Sequence, residues 1–261
     1  MLSILLLAAA LPATAPLTPA GKWEVEYGKD MCVLSRAYGD EKGGAILALR
    51  PYPMSSQSEI VVITSGRSAE VAGGKAEVAL LPGMHSTQGT YSRYQLVKSP
   101  RSLSTLLMNE DALADVRTST ALSIRLGTRE SYTFAIPAIA SAMRALEACQ
   151  ADLLKTWGID PAERAEVITP PKANPASFFG PDAYPAAALR AGQQGRTIAV
   201  AVIDKKGTVK TCIVAATSGS PTLDRATCDV LTQRGRFSPG LDKDGNAVSA
   251  HVVVPVKWVL P

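Results

Sequence analysis

The sequence predicts an α+β protein in two parts: an N-terminal, mostly antiparallel β domain with a closing helix, and a smaller C-terminal domain that mixes strands and helices. Three observations carry this. Short apolar–polar alternations separated by glycine-rich turns run from Trp23 to Ile136, the pattern of half-buried strands. From Pro137 to Trp157 the period changes to that of a helix. Pro170, Pro171, Pro175 and Pro181 then fall within Val167–Pro181, where they prevent a regular helix or a central strand. The expected organisation is therefore an export signal over 1–20, a β-rich domain over 21–166, a Pro-rich linker over 167–181 and a C-terminal domain over 182–261.

Taken in order, strands are expected at Trp23–Tyr27, Met31–Ala37, Ala45–Leu49, Glu59–Ile63, Ala76–Leu81 and Tyr91–Val97. Leu106–Val116 reads as a helix, and Leu122–Leu126 with Tyr132–Ile136 as a hairpin. In Pro137–Trp157, Ile139, Met143, Leu146, Leu153 and Leu154 share a face, with Cys149 among them. Beyond the prolines, Tyr184-Pro185 precedes a short helix over Ala186–Ala191. Thr197–Ile203 and Val209–Ala216 form two strands around the Asp204–Gly207 turn. Ser220 is the expected N-cap of the next helix, Pro221 suits its first position and Asp224 its first turn; Leu223, Ala226, Val230 and Leu231 make its apolar stripe. The last strand alternates: Val248, Ala250, Val252, Val254, Val256 and Trp258 share one face, while Ser249, His251, Pro255 and Lys257 share the other. Pro255 cannot donate to a neighbour, so this strand is expected at an edge or with a bulge.

The 261 residues are 46% hydrophobic and 19% charged, which excludes a disordered chain. A net charge of +4 without a Lys/Arg run gives no support to nucleic-acid binding. Residues 181–261 carry ten of the 27 basic side chains but six of the 23 acidic ones, so the whole excess lies in the C-terminal part. His85 and His251 are far apart, no Gly-x-Ser-x-Gly elbow is present, and Glu24 with Glu26 reads as a wet strand face. The expectation is a binding protein, not an enzyme, with no cofactor and no metal. The apolar run Ile4–Leu11 followed by Pro12 and Ala13-Thr14-Ala15 has the layout of a cleaved secretory signal. The four cysteines agree with an oxidising compartment. Of three possible connectivities, Cys32–Cys149 with Cys212–Cys228 respects the division of the chain.

One set of residues points to a family. Tyr184-Pro185, the Gly195–Gly207 hairpin, Cys212, Ser218-Gly219-Ser220-Pro221, Leu223-Asp224, Cys228, Arg236-Phe237-x-Pro239 and Val254-Pro255-Val256-x-Trp258 together resemble the C-terminal domain of the TonB family of energy transducers, over residues 184–260. The resemblance implies a three-stranded antiparallel sheet with helices on one side. It also implies a periplasmic protein, free or membrane-associated, linked to transport across the outer membrane. The implied partner is an outer-membrane receptor, or another extended peptide segment, added as a strand beside Val252, Val253, Val254, Pro255, Val256 and Lys257. A Pro-rich linker of about 15 residues extends only about 45 Å, short of an envelope-spanning arm, and no transmembrane helix is expected in the mature chain. The alternative is an envelope-assembly or structural protein whose C-terminal domain dimerises or touches the cell wall.

Overall fold

The structure, a computed structural model, describes residues 15–28, 30–40, 44–54, 57–66, 72–83, 86–96, 98–128 and 130–260. The apolar start of the expected signal (residues 1–14) and His85 lie outside the described residues. The chain forms two compact units. Among the described residues, one is drawn from within 1–24, 35–49 and 58–142, the other from within 25–34, 50–57 and 143–261.

Among the described residues nine strands make one sheet: β1 (Glu24–Tyr27), β2 (Cys32–Tyr38), β3 (Ala45–Pro51), β4 (Gln57–Ser65), β5 (Ala72–Leu81), β6 (Ser86–Gln95), β7 (Arg101–Asn109), β8 (Ala121–Leu126) and β9 (Glu130–Ala135). Their spatial order is β1-β2-β3-β4-β7-β6-β5-β8-β9. The alternation that predicted the strands also fixes their inward faces. Leu47, Ile60, Val62, Val78, Leu122, Ile124 and Phe134 are all buried, and Tyr38 meets Phe134 edge-on at 4.9 Å. Burial pushes the Tyr38 hydroxyl up to about 12, against the smaller opposing effect of Arg36. Within the sheet, Arg93 makes a two-pronged pair with Glu130, and its Nε donates to Ser104 Oγ at 3.0 Å. The Arg93 pair and the Tyr132 hydroxyl hold the Glu130 carboxyl below its ordinary range.

The expected helix at Leu106–Val116 is corrected. β7 runs to Asn109, and two short 3-10 turns follow at Glu110–Leu113 and Val116–Thr118. Leu107 and Leu106 lie opposite Thr90 and Tyr91 of β6. The inward row of β7 is Ser102, Ser104, Leu106 and Met108, all buried. Two of those four positions are serines, which hide the alternation from a hydrophobicity reading. Ser102 Oγ donates to the Gly66 carbonyl at 2.9 Å, which makes its burial tolerable.

α1 (Ile139–Thr156) buries Ile139, Ala142, Met143, Leu146, Cys149, Leu153 and Leu154. That spacing of three and four residues is one helical face. In the second unit Cys149 is bonded to Cys32, 117 residues away. A short helix not expected from the sequence, α2 (Pro161–Glu166), follows. Its signals were present: Asp160 Oδ1 accepts from the Ala162 N–H at 2.8 Å, and Pro161 opens the first turn.

The prolines between Val167 and Pro181 do exclude regular structure apart from 3-10 turns, but the segment is tied down along its length. Thr169 exchanges backbone hydrogen bonds with Leu241, and the Ser238 N–H donates to the Lys172 carbonyl at 2.8 Å. Phe178 is buried against Phe237, and Phe179 meets Trp258 edge-on. Neither phenylalanine stands out in the sequence pattern, because both sit among prolines.

The remaining elements are α3 (Ala186–Arg190), β10 (Gly195–Ile203), β11 (Val209–Ala216), α4 (Pro221–Arg234), β12 (Gly240–Leu241), β13 (Ala247–Val248) and β14 (Ala250–Trp258). β10 lies between β11 and β14, antiparallel to both. The β10–β11 turn is built by Asp204, whose carboxylate accepts from the Lys206 and Thr208 N–H groups and the Thr208 hydroxyl. Gly207 there has φ of +80°, and a Cβ would stand 1.9 Å from the Phe237 carbonyl oxygen. Only glycine fits. α4 begins as expected: Ser220 Oγ accepts from the Leu223 N–H, with Pro221 in the first turn. Leu223, Val230 and Leu231 pack with Ala199, Val254, Val256 and Trp258, while Ala226 is only partly buried. Cys212–Cys228 ties β11 to α4. Trp258 Nε1 donates to Thr227 Oγ1 at 3.0 Å, so the largest core side chain is also satisfied as a donor.

Candidate functional site: an open strand edge

The sequence-predicted site residues Val252, Val253, Val254, Pro255, Val256 and Lys257 all fall on β14, an outer strand of the three-stranded sheet. Ala250, Val254, Val256 and Trp258 are buried on the face that meets α4, with Val252 packed beside them. Pro255 and Lys257 are exposed, and His251 and Val253 are half-buried.

The backbone geometry follows from Pro255. It pairs with Ile198 in an unbroken register that runs from Ala250↔Ile203 to Trp258↔Gly195. In an antiparallel ladder, opposed residues alternate between those that exchange hydrogen bonds with each other and those whose polar groups point away. Proline has no N–H to exchange, so Ile198↔Pro255 is of the second kind. Alternation then assigns the N–H groups of His251, Val253 and Lys257 to the outer side of β14. The even-numbered residues carry the bonding to β10. Among the described residues no strand pairs with that outer side.

Charges gather at one end. Arg196 lies directly opposite Lys257 in the register, an arrangement that costs stability unless the charges are shared out. Arg196 stacks over the Tyr52 ring at 4.8 Å. At the other end His251 Nδ1 is 4.0 Å from Glu163 Oε2 of α2. The sequence pattern could not show either juxtaposition, because both depend on pairings between segments far apart in the chain.

Asp224 stabilises the scaffold of this edge. Burial pushes its carboxyl up, but bonds from the Thr217 hydroxyl, the Ser218 N–H and hydroxyl and the Thr197 hydroxyl outweigh that and hold it below the ordinary range. From the sequence alone Asp224 is a first-turn acid at a helix N-terminus. Its larger role is to clamp β10 and the end of β11 to α4.

Other chemistry is not gathered here. Among the described residues no three His, Cys, Asp or Glu side chains are placed to hold a metal ion, and none of the described cysteines is free. Glu24 and Glu26 are exposed on β1. No helix among the described residues is long and apolar enough to cross a membrane.

Residues 181–260 match the family model described as Gram-negative bacterial TonB protein C-terminal. The match spans a little under a third of the chain and contains β10, β11, α4 and β14. No curated protein matches the chain.

Proposed function

We propose that this is a periplasmic binding protein that captures an extended segment of an outer-membrane receptor along β14, in the service of transport across the outer membrane. One observation carries the reading: within the segment that matches the TonB C-terminal model, β14 is an outer strand whose Val253 and Lys257 N–H groups face away from β10. Main-chain bonding supplies most of the affinity in strand addition, and it asks little of the partner's sequence. The side chains of half-buried His251 and exposed Lys257 are then secondary to backbone access. Two disulfides fit an oxidising compartment.

The test is a titration of the labelled full chain with TonB-box peptides and with receptor plug domains, followed by backbone amide shifts. Perturbation concentrated at Val253–Lys257 supports capture at this edge. Shifts confined to the helix around Leu223, or no binding at millimolar peptide, contradict it and move the assembly reading ahead.

A further inference from the structure

The opposite edge of the same sheet is also unpaired among the described residues: β11 is the other outer strand. It is unusual in exposing two aliphatic side chains, Ile213 at 51% and Val214 at 38%. Both line a cavity of about 420 Å³, formed wholly by residues of the second unit, together with Tyr27, Leu153, Trp157 and Asp152. That volume falls within the ordinary range of ligand pockets, roughly 300–1,000 Å³.

The lining states what it suits. Tyr27 and Trp157 contribute aromatic side chains to the lining, Leu153 and the β11 side chains contribute apolar ones, and Asp152 is the one charged residue among those lining it. A carboxylate beside aromatic rings favours a cation on an aliphatic stem. Asp152 already meets Lys155 at 3.4 Å, but both are well exposed; such a surface pair is weak and is readily exchanged for an incoming one. The adjoining strand edge supplies unpaired main-chain donors and acceptors in a row, which a free amine cannot use and an extended backbone can.

We propose that the β11 edge and this cavity form a second strand-capture site, one that takes an extended peptide whose Lys or Arg side chain enters the cavity toward Asp152. It lies on the opposite edge from β14 and does not depend on the reading of that edge.

The probes are two capped heptapeptides of alternating Thr and Val, one with lysine at its centre and one with norleucine, titrated into the labelled full chain. The expected result is amide perturbation at Ile213, Val214 and Asp152, with the lysine peptide binding about two- to fivefold tighter than the norleucine one, the range of an exposed ion pair. Asp152→Asn, at an exposed position, should abolish that preference and leave the melting curve in place. Val253→Pro should leave it intact. Equal affinity of the two peptides, shifts confined to β14, or no binding at millimolar peptide overturns the proposal.

Discussion

The nine-stranded and the three-stranded sheets of this protein treat their edges in opposite ways. In the nine-stranded sheet, β1 at one end has four residues, with Glu24 and Glu26 exposed, and β9 at the other is capped. The Leu17 N–H donates to the Thr133 carbonyl at 2.7 Å and the Ala135 N–H to the Leu17 carbonyl at 3.2 Å, while Gly39 at the end of β2 donates to Thr18. A short charged edge and a covered one are ordinary ways of refusing another strand. In the three-stranded sheet, by contrast, β11 and β14 run for eight and nine residues, and both stand outermost. The difference separates a sheet whose edges are short or covered from one whose two edges are unpaired among the described residues, as the proposed strand capture requires.

The comparison can be broken first through its covalent ties. The Cys32–Cys149 link closes a 117-residue separation and Cys212–Cys228 a 16-residue one. In the chain-entropy model, replacing the first pair by alanines costs about 5 kcal/mol and the second about 3 kcal/mol. Chemical denaturation of the two double variants checks the order; a larger loss from the short loop would contradict it. Next comes Trp258→Ala, expected to cost about 3–5 kcal/mol because a large buried ring and its bond to Thr227 are both lost. A loss below about 1 kcal/mol would mean that β14 presents the other face to α4.

Asp224→Asn is expected to cost about 1–3 kcal/mol at neutral pH, since the amide cannot accept from all the donors the carboxylate serves. The pH dependence has a definite sign. Its folded value lies below the unfolded one, so its contribution is complete above the unfolded value of about 3.9 and is lost as pH falls toward the depressed folded value. The stability gap between the two proteins should therefore narrow in acid. A gap constant from pH 6 to pH 2 would exclude this role. A smaller effect concerns the capped edge: a chain that begins at Gly21 lacks Leu17, and the Ala135 amide should exchange faster with solvent while amides deep in β8 do not. Unchanged protection of Ala135 would show that the cap is dispensable.

Much of this was legible in the sequence, and the failures have identifiable causes. Strands whose inward positions are aliphatic announced themselves, as did α4, whose Ser220-Pro221 start and Leu223–Leu231 stripe agree with each other. β7 did not, because Ser102 and Ser104 occupy core positions and satisfy their hydroxyls internally. Phe178 and Phe179 sat among prolines, whose breaking signal says nothing about whether a segment is buried. The β14 face could be read from its own alternation. The Arg196–Lys257 opposition, the clamp around Asp224 and the cavity beside β11 could not, because each arises from register between strands or from packing between elements that no local pattern encodes.

The claim that β14 is open to another strand rests on the alternation set by Pro255, and neighbouring proline substitutions test it most directly. Val253→Pro removes an outward N–H and should leave folding nearly unchanged while weakening capture of a TonB-box peptide about three- to tenfold, the worth of one main-chain bond; Val253→Ala controls for the side chain. Val254→Pro removes an N–H that bonds β10 and should unfold or strongly destabilise the domain. Equal peptide affinity in Val253→Pro and Val253→Ala, or a loss of folding in Val253→Pro as large as in Val254→Pro, would contradict the account.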